Sequence, residues 1–408
     1  MPKRKILFIS GTRADFGKIR PLIQALDNDA RFEHSLFVTG MHTLARYGFT
    51  VDEIFKTFGS ARLEKGFRNV HVFMNQVHGE SMDLVLANTI FGLSRYVSEY
   101  QPDMIVVHGD RVEALAGALV GSMRNILVAH IEGGELSGTI DELIRHSISK
   151  VAHLHFTANE ETRDRLIQMG ERRESIFTIG SPDIDIMLSD DLPDLEEVRA
   201  YYGIPFERYA VALLHPVTTN PAETRREARA MVKAMLASPH NFVVIYPNND
   251  TGSDFILQEY ECLKGHARIR IYPSLRLTSF LTLLKHADFL IGNSSAGVRE
   301  TPVYGVPSIN IGSRQANRFI CPSIANVAGR VPDILTAMEN ARAATCFEPV
   351  YHFGRGDSAR HFRAALADEA VWQTPRQKQF VDIIQPLPTP QPQAEKTGPR
   401  SRRLALVK

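Results

Sequence analysis

What this 408-residue sequence lacks narrows its function first. It has three cysteines, Cys262, Cys321 and Cys346, widely spaced and without a CxxC pair. Neither a disulfide framework nor a paired-thiol site is indicated, and buried free thiols in a reducing compartment are expected. Neither sign of charge is in excess: 47 Lys and Arg face 46 Asp and Glu, so no net field gathers nucleic acid or anionic lipid. No stretch approaches the roughly 20 apolar residues that span a bilayer. The basic start "MPKRKILFIS" carries only "ILFI" before Gly11-Thr12-Arg13, without the long apolar run of a signal peptide. A cytoplasmic protein that engages neither nucleic acid nor membrane is the expectation.

Two phosphate-binding fingerprints are also missing. In "FISGTRADFGKIRPLI" (residues 8–23) an apolar strand leads through a Gly- and Lys-containing loop into a helix. A Walker loop needs Gly, four residues and then Gly-Lys-Ser/Thr, but here five residues separate Gly11 from Gly17, and Ile19 follows Lys18. A dinucleotide site needs GxGxxG and an acidic residue ending the second strand; the glycines do not fit and that strand ends "VTGMH". Two readings stay open. Arg13 and Lys18 meet an anion at a helix start, or the loop is solvated with Arg13 paired to Asp15. Zinc motifs are absent too. The pair in "HLH" (153–155) lacks further ligands at the required spacing, and core histidines are expected there.

What is present is alternation. Eleven short apolar runs, from "KILFIS" to "VPSINIG", are separated by helical patterns such as "DFGKIRPLIQAL" and "RVEALAGALVGSM". Nearly continuous apolar strands between helices indicate parallel sheets covered on both faces. The length exceeds one comfortable core, and "LSDDLPDLEEV" (188–198) divides two similar series. The expected fold class is α/β, with two doubly wound, Rossmann-like domains facing a cleft. The expected boundaries are 1–187 and 188–365, with a Pro-rich extended tail at 386–408. Arg400, Arg402 and Arg403 of that tail are either partner contacts or solvated.

Polar residues gather where the strands end, in "HGDR", "HIEGG", "LHPVTT", "YPNND", "GNSS" and "NIGSR". Open parallel sheets bind ligands outside these carboxyl ends. In "GNSSAGVRE" (292–300) small residues, Ser294 and Ser295 precede a helix that carries Glu300; this is a phosphate site or an ordinary N-cap. Asp110, Glu132 and Asp141 stand at or beyond strand ends. Carboxylates sharing a cleft repel, so at least one should hold its proton more tightly. Asp141 has a second reading as a first-turn helix residue, with Thr139 and Glu142 at capping-box spacing and Arg145 as its partner. His215 ends the first strand of the second domain.

Taken together, "GTRADFGK", "FVTGMH", "VVHGDRVEALAGALVG", "AHIEGGELSGTIDELIRHSISK", "LHPVTT", "YPNNDTGS" and "IGNSSAGVRE...GVPSINIGSRQ" resemble the hydrolysing UDP-N-acetylglucosamine 2-epimerases of sialic acid biosynthesis, of the bacterial capsule or surface-glycan type. The resemblance runs from about residue 4 to about 385. Non-hydrolysing relatives typically read "GDT", "EAGLR" and "HRREN" where this chain has "GDR", "EGGELSGT" and "HPVTT". The resemblance implies the glycosyltransferase-B type of fold, with a helix at 366–385 returning to the first domain, and the reaction UDP-GlcNAc plus water to ManNAc plus UDP, through 2-acetamidoglucal. It also implies no nicotinamide, no obligatory metal or other cofactor, and a homodimer or homotetramer. By the same resemblance Asp110, Glu132, Asp141 and His215 match the catalytic set. Arg13, His215, Ser294, Ser295, Glu300 and the surroundings of Tyr272 match UDP contacts, and Lys18, Arg111, Asn248 and Arg314 match sugar-side contacts. The same chemistry on UDP-2,4-diacetamido-2,4,6-trideoxyglucose, for legionaminic acid, is the nearest alternative. A glycosyltransferase and a UDP-sugar sensor of the same fold are further ones.

Overall fold

The computed structural model describes residues 3–27, 29–63, 66–137, 139–218, 220–344 and 347–382. The Pro-rich tail, with Arg400, Arg402 and Arg403, and Cys346 lie outside them.

Seven parallel strands form the first sheet: β1 (Arg4–Ser10), β2 (Phe32–Val38), β3 (Val70–Val72), β4 (Met104–His108), β5 (Leu127–Ile131), β6 (Leu154–Thr157) and β7 (Ile176–Thr178), in the order β3-β2-β1-β4-β5-β6-β7. Six form the second: β8 (Ala210–Leu213), β9 (Phe242–Ile245), β10 (Ile269–Tyr272), β11 (Leu290–Gly292), β12 (Ser308–Ile311) and β13 (Ile324–Val327), in the order β10-β9-β8-β11-β12-β13. Both sheets therefore reverse direction of winding once, between β1 and β4 and between β8 and β11. Crevices for ligands open at such points.

The central strands are buried on both faces. Ile6, Phe8, Val106 and Ala129 pack into one core layer of the first sheet, and Leu7, Ile9, Val107 and Val128 into the other. The second sheet repeats this with Ala212, Val244 and Ile291 on one face and Val211, Val243 and Leu290 on the other. The eleven expected strands are present; β3 and β13 are additional, and both are sheet edges. In β13 only Ile324 is buried, while Ala325 and Asn326 are exposed, so it gives no apolar run to read.

The opening motif folds differently from the loop expected. Thr12 adopts an extended backbone and its side chain accepts a hydrogen bond from the Asp15 amide, so the helix Arg13–Gln24 begins at Arg13. Gly17 lies inside this helix, where it crosses the second-domain helix Leu277–Lys285. A Cβ on Gly17 would lie 2.1 Å from Leu277 Cδ2. That glycine serves a close helix–helix approach between the domains, not a phosphate loop.

The returning segment also differs. It consists of the helices Ser358–Ala367 and Glu369–Trp372, and 373–382 is not helical. Phe362, Leu366, Val371 and Trp372 complete the core on the first sheet, so the return to that sheet starts earlier than residue 366. Cys321 is buried as expected, but Cys262 is exposed. His153 and His155 are buried and hydrogen-bonded: the His153 Nδ1 accepts from the Val128 amide at 3.0 Å, and His155 Nε2 stands 3.0 Å from Glu171 Oε2. Among the described residues no helix is long and apolar enough to cross a membrane.

Candidate active site

The carboxyl ends of the two sheets face one another across a cavity of about 320 Å³, a volume suited to a small organic ligand. Loops after β1, β4 and β5 supply one wall, and loops after β8, β9 and β11 the other. Of the residues singled out from sequence, Arg13, Lys18, Asp110, Arg111, Glu132, Asp141, His215, Asn248, Ser294, Ser295, Glu300 and Arg314 line it. Tyr272 does not. Its hydroxyl donates to the Tyr202 carbonyl at 2.7 Å, and Pro273, Ser274 and Leu275 line the cavity in its place.

The three carboxylates have three different environments. Asp110 pairs with Arg145, whose other guanidinium nitrogen donates to the Glu135 carbonyl at 3.0 Å. Burial works against the ionised Asp110, but Arg145, Arg318 and His108 outweigh it and hold the carboxyl down at about 2. Asp141, in the first turn of the helix Ile140–Val151, is pushed up by burial and by the nearby Asp110 charge. Its cationic neighbour is Arg314 of the other domain, at 3.0 Å. The expected Asp141–Arg145 pair is therefore replaced by Asp110–Arg145 and Asp141–Arg314. Thr139 does cap this helix, accepting from the Asp141 amide at 3.3 Å, while Glu142 turns instead to the Ser137 amide at 2.6 Å.

Glu132 departs furthest from a simple strand-end carboxylate. Its backbone is left-handed, with φ of 63°, a conformation that costs a non-glycine residue roughly 1–2 kcal/mol. The side chain sits in a buried cage, 2.5 Å from Arg299 Nη2, 3.0 Å from His108 Nε2 and 3.6 Å from Lys18 Nζ, with Ser181 hydrogen-bonded to it. Burial opposes its charge, yet Arg299, Lys18 and His108 hold it well below the usual carboxylate range. His108 is itself pushed up to about 9, because Glu132 and Asp15 outweigh the effect of burial.

His215 has the opposite character. Its Nδ1 accepts a hydrogen bond from the Asn248 amide at 3.1 Å, which leaves the ring proton on Nε2. Burial, then Arg314 and Arg111, push its proton affinity well down. The ring is a neutral Nε2–H donor in the cavity wall.

Polar contacts between the domains ring the cavity. Arg13 Nη1 donates to Ser274 Oγ at 2.7 Å, and its Nε meets Glu53 at 2.9 Å rather than Asp15. Asp15 faces His108 at 3.6 Å instead. Arg111 reaches Asn249 at 3.0 Å and Asp250 at 3.5 Å. Glu300 lies at the junction of the short helices Ala296–Arg299 and Thr301–Tyr304, not farther along one helix, and burial pushes it up to about 7. Ser294 Oγ accepts from the Ala296 amide at 3.3 Å. Among the described residues no group of three or more His, Cys, Asp or Glu is arranged to hold a metal ion.

Sequence reading missed His108, Asp15, Ser181, Asp183, Arg299 and Arg318. His108 and Arg299 lie inside quoted motifs, but only the topology brings them to Glu132.

The model of the UDP-N-acetylglucosamine 2-epimerase family matches residues 24–367. The chain is 46% identical over 383 residues to a UDP-N-acetylglucosamine 2-epimerase of Neisseria meningitidis serogroup B, covering 93% of this chain and 99% of that one. It is 33% identical over 343 residues to the UDP-N,N'-diacetylbacillosamine 2-epimerase (hydrolyzing) of Legionella pneumophila, covering 83% and 89%. In fold it is similar to the crystal structure of Methanocaldococcus jannaschii UDP-GlcNAc 2-epimerase in complex with UDP-GlcNAc and UDP, with a TM-score of 0.74 at 20% identity, covering 89% and 99%. This chain belongs to the UDP-N-acetylglucosamine 2-epimerase family.

Proposed function

We propose that the chain is a hydrolysing UDP-GlcNAc 2-epimerase that converts UDP-GlcNAc and water to ManNAc and UDP, supplying sialic acid synthesis for a bacterial surface glycan. The observation that carries this reading is the pairing, on one wall of the cleft, of an ionised Asp110 with an Asp141 that holds its proton more tightly, opposite a neutral His215. The C2 proton of the sugar is not acidic, since no carbonyl is attached to that carbon. It becomes removable when UDP leaves and positive charge develops at C1. Elimination then needs a base at C2 and donors for the departing diphosphate; hydration needs a proton returned to C2 and a water activated at C1.

Asp110 and Asp141 have the divided proton affinities that such an acid–base pair needs. Caged by three cations, Glu132 is a weak base, and its part is to orient Lys18 and His108 and to set the field at C1. His215 Nε2–H, Arg13 and the hydroxyls of Ser294 and Ser295 are the donors for the diphosphate as its charge grows. Lys18, Arg111, Asn248 and Arg314 face the sugar, and Glu300 the ribose.

UDP-N,N'-diacetylbacillosamine, which is UDP-2,4-diacetamido-2,4,6-trideoxyglucose, is the second substrate reading. The stronger similarity to the Neisseria protein favours UDP-GlcNAc. The test incubates the purified chain with each UDP-sugar in turn and identifies the released sugar by proton NMR. Free ManNAc from UDP-GlcNAc without an acceptor supports the proposal. Release of sugar from the diacetamido substrate alone, or of UDP-ManNAc in place of free ManNAc, overturns it.

A further inference from the structure

Asp183 lies in the turn-and-helix after β7, at the helix Pro182–Met187. It is fully buried. A first-turn aspartate is ordinarily explained by the helix dipole or by capping, yet among the described residues no backbone amide is bonded to its carboxylate. Its Oδ2 stands 2.9 Å from Lys18 Nζ and 4.0 Å from Arg299 Nε. Its Oδ1 is hydrogen-bonded to Ser181 Oγ, the same hydroxyl that reaches Glu132 and accepts from Arg299 Nη2 at 2.5 Å. Glu300 and Tyr304 complete the charged and titratable surroundings.

Lys18 is thus held between two carboxylates, the nearer being Asp183 and the other Glu132 at 3.6 Å. A lysine ammonium on a flexible stem has no fixed direction of its own. With Glu132 as its sole partner it would collapse onto that carboxylate and leave the cavity wall. We propose that Asp183, supported by Ser181, is a positioning residue of the epimerase reaction, drawing Lys18 off Glu132 so that the ammonium stands at one place in the wall facing the sugar. This inference rests on the function proposed above. Asp183 touches no substrate in this scheme and acts through Lys18.

The test compares Asp183→Asn and Ser181→Ala with the unaltered chain in steady-state release of UDP and ManNAc, over a range of pH. Asn keeps the size of the side chain and removes its charge. The expected result for Asp183→Asn is a fall in kcat on the order of 100-fold, the scale of misplacing one reacting group, with KM within about threefold. Ser181→Ala should fall less, by about tenfold on the same grounds.

Removing an anion also weakens proton binding by its neighbours Lys18, Glu132 and Glu300. The pH profile of the folded variant should therefore move to lower pH, which a merely structural role would not produce. Unchanged kcat in both variants, or a loss that follows the folded fraction with the profile unmoved, overturns the proposal. If Asp183→Asn does not fold, Ser181→Ala decides by kcat alone: a fall of about tenfold in the folded variant supports the proposal and an unchanged kcat overturns it. An unaltered chain that releases no ManNAc from UDP-GlcNAc sinks the underlying function and this inference with it, and so is distinguishable from failure of the inference alone.

Discussion

Replacing Arg299 with methionine is the sharpest test of the ion cage. Arg299 comes from the second domain and is 3% exposed. It contacts Glu132 and Ser181 at 2.5 Å each, pairs with Glu135, and lies over the Phe353 ring at 4.6 Å. Methionine keeps much of the stem and its packing on Phe353 but removes the charge. Three first-domain carboxylates, Glu132, Glu135 and Asp183, then stay buried with fewer cations. Removing one partner of a buried pair costs about 3–5 kcal/mol. Lys18 and His108 remain beside Glu132, so the lower end, about 3 kcal/mol, is expected. That is a large share of the 5–15 kcal/mol or so that holds a typical protein folded.

The cage also fixes how this loss varies with pH. In the unaltered protein Glu132 is held well below 4.5. A depressed carboxylate contributes stability above its unfolded value, and that contribution is lost as pH falls through the folded value. The methionine variant has less of it to lose. The deficit should be full at pH 7.5 and should narrow below about 4.5. Urea unfolding, followed by circular dichroism and by fluorescence of the single tryptophan, Trp372, measures both. Trp372 is buried on the first sheet, so it reports the domain that keeps the orphaned carboxylates. A midpoint unchanged at pH 7.5, or a deficit equally large at pH 4, would refute the reasoning.

Three further outcomes follow from the site and its surroundings. Asp110→Asn should lower kcat by about 100-fold or more, the range for a positioned acid or base, while titration calorimetry finds UDP binding nearly unchanged; near-normal turnover would remove Asp110 from the chemistry. His215→Ala should slow glucal formation from UDP-GlcNAc more than hydration of added 2-acetamidoglucal, because its Nε2–H serves the leaving diphosphate, and equal losses would exclude that role. Glu227, buried against Gly312 and Gly329, is pushed from 4.5 up to about 7 by burial and by Glu223. Its raised value gives stability that is present below 4.5 and lost as pH rises to 7, so Glu227→Gln should stabilise the protein at pH 8 by up to about 3 kcal/mol and leave it unchanged near pH 4. Thermal unfolding at the two pH values reads this out.

The central strands were legible because parallel strands are buried on both faces and so appear as apolar runs. β3 and β13 were not, since Val72 in the one and Ala325 and Asn326 in the other are exposed, whereas the edge strands β7 and β10 have no exposed residue. The start of the first helix was legible in principle. Thr12 followed three residues later by Asp15 is an N-cap signal, and the helical pattern from Asp15 onward already included Gly17; the competing phosphate-loop reading is the one the structure removes. Asp110, Glu132, His215, Ser294 and Ser295 followed from one rule, that polar strand ends face ligands, whereas the sugar-side places of Lys18, Asn248 and Arg314 came from the family resemblance alone. The partners of the carboxylates followed from neither. Arg145, Arg299, Arg314 and Arg318 are surface-type residues in any local window, and which carboxylate each one meets depends on two sheets being set edge to edge.

That dependence has a consequence at Asp141. Burial and Asp110 push its proton affinity up, and the cation opposing them is Arg314, from the other domain, 3.0 Å away. A group balanced across a cleft changes its proton affinity when the cleft changes. Arg314→Gln should therefore raise Asp141 further, and its carboxyl should titrate at higher pH. Arg314 also depresses His215, so that ring should rise as well, and a rate profile alone would mix the two. Carbon-13 NMR of aspartate-labelled protein separates them, because it follows the carboxyl directly. The turnover profile should shift to higher pH in step with the Asp141 signal, while a loss of sugar contact alone would raise KM and leave the carboxyl where it was. An Asp141 signal that stays fixed, or moves to lower pH, would mean that Arg314 does not govern it and that its proton is set within the first domain.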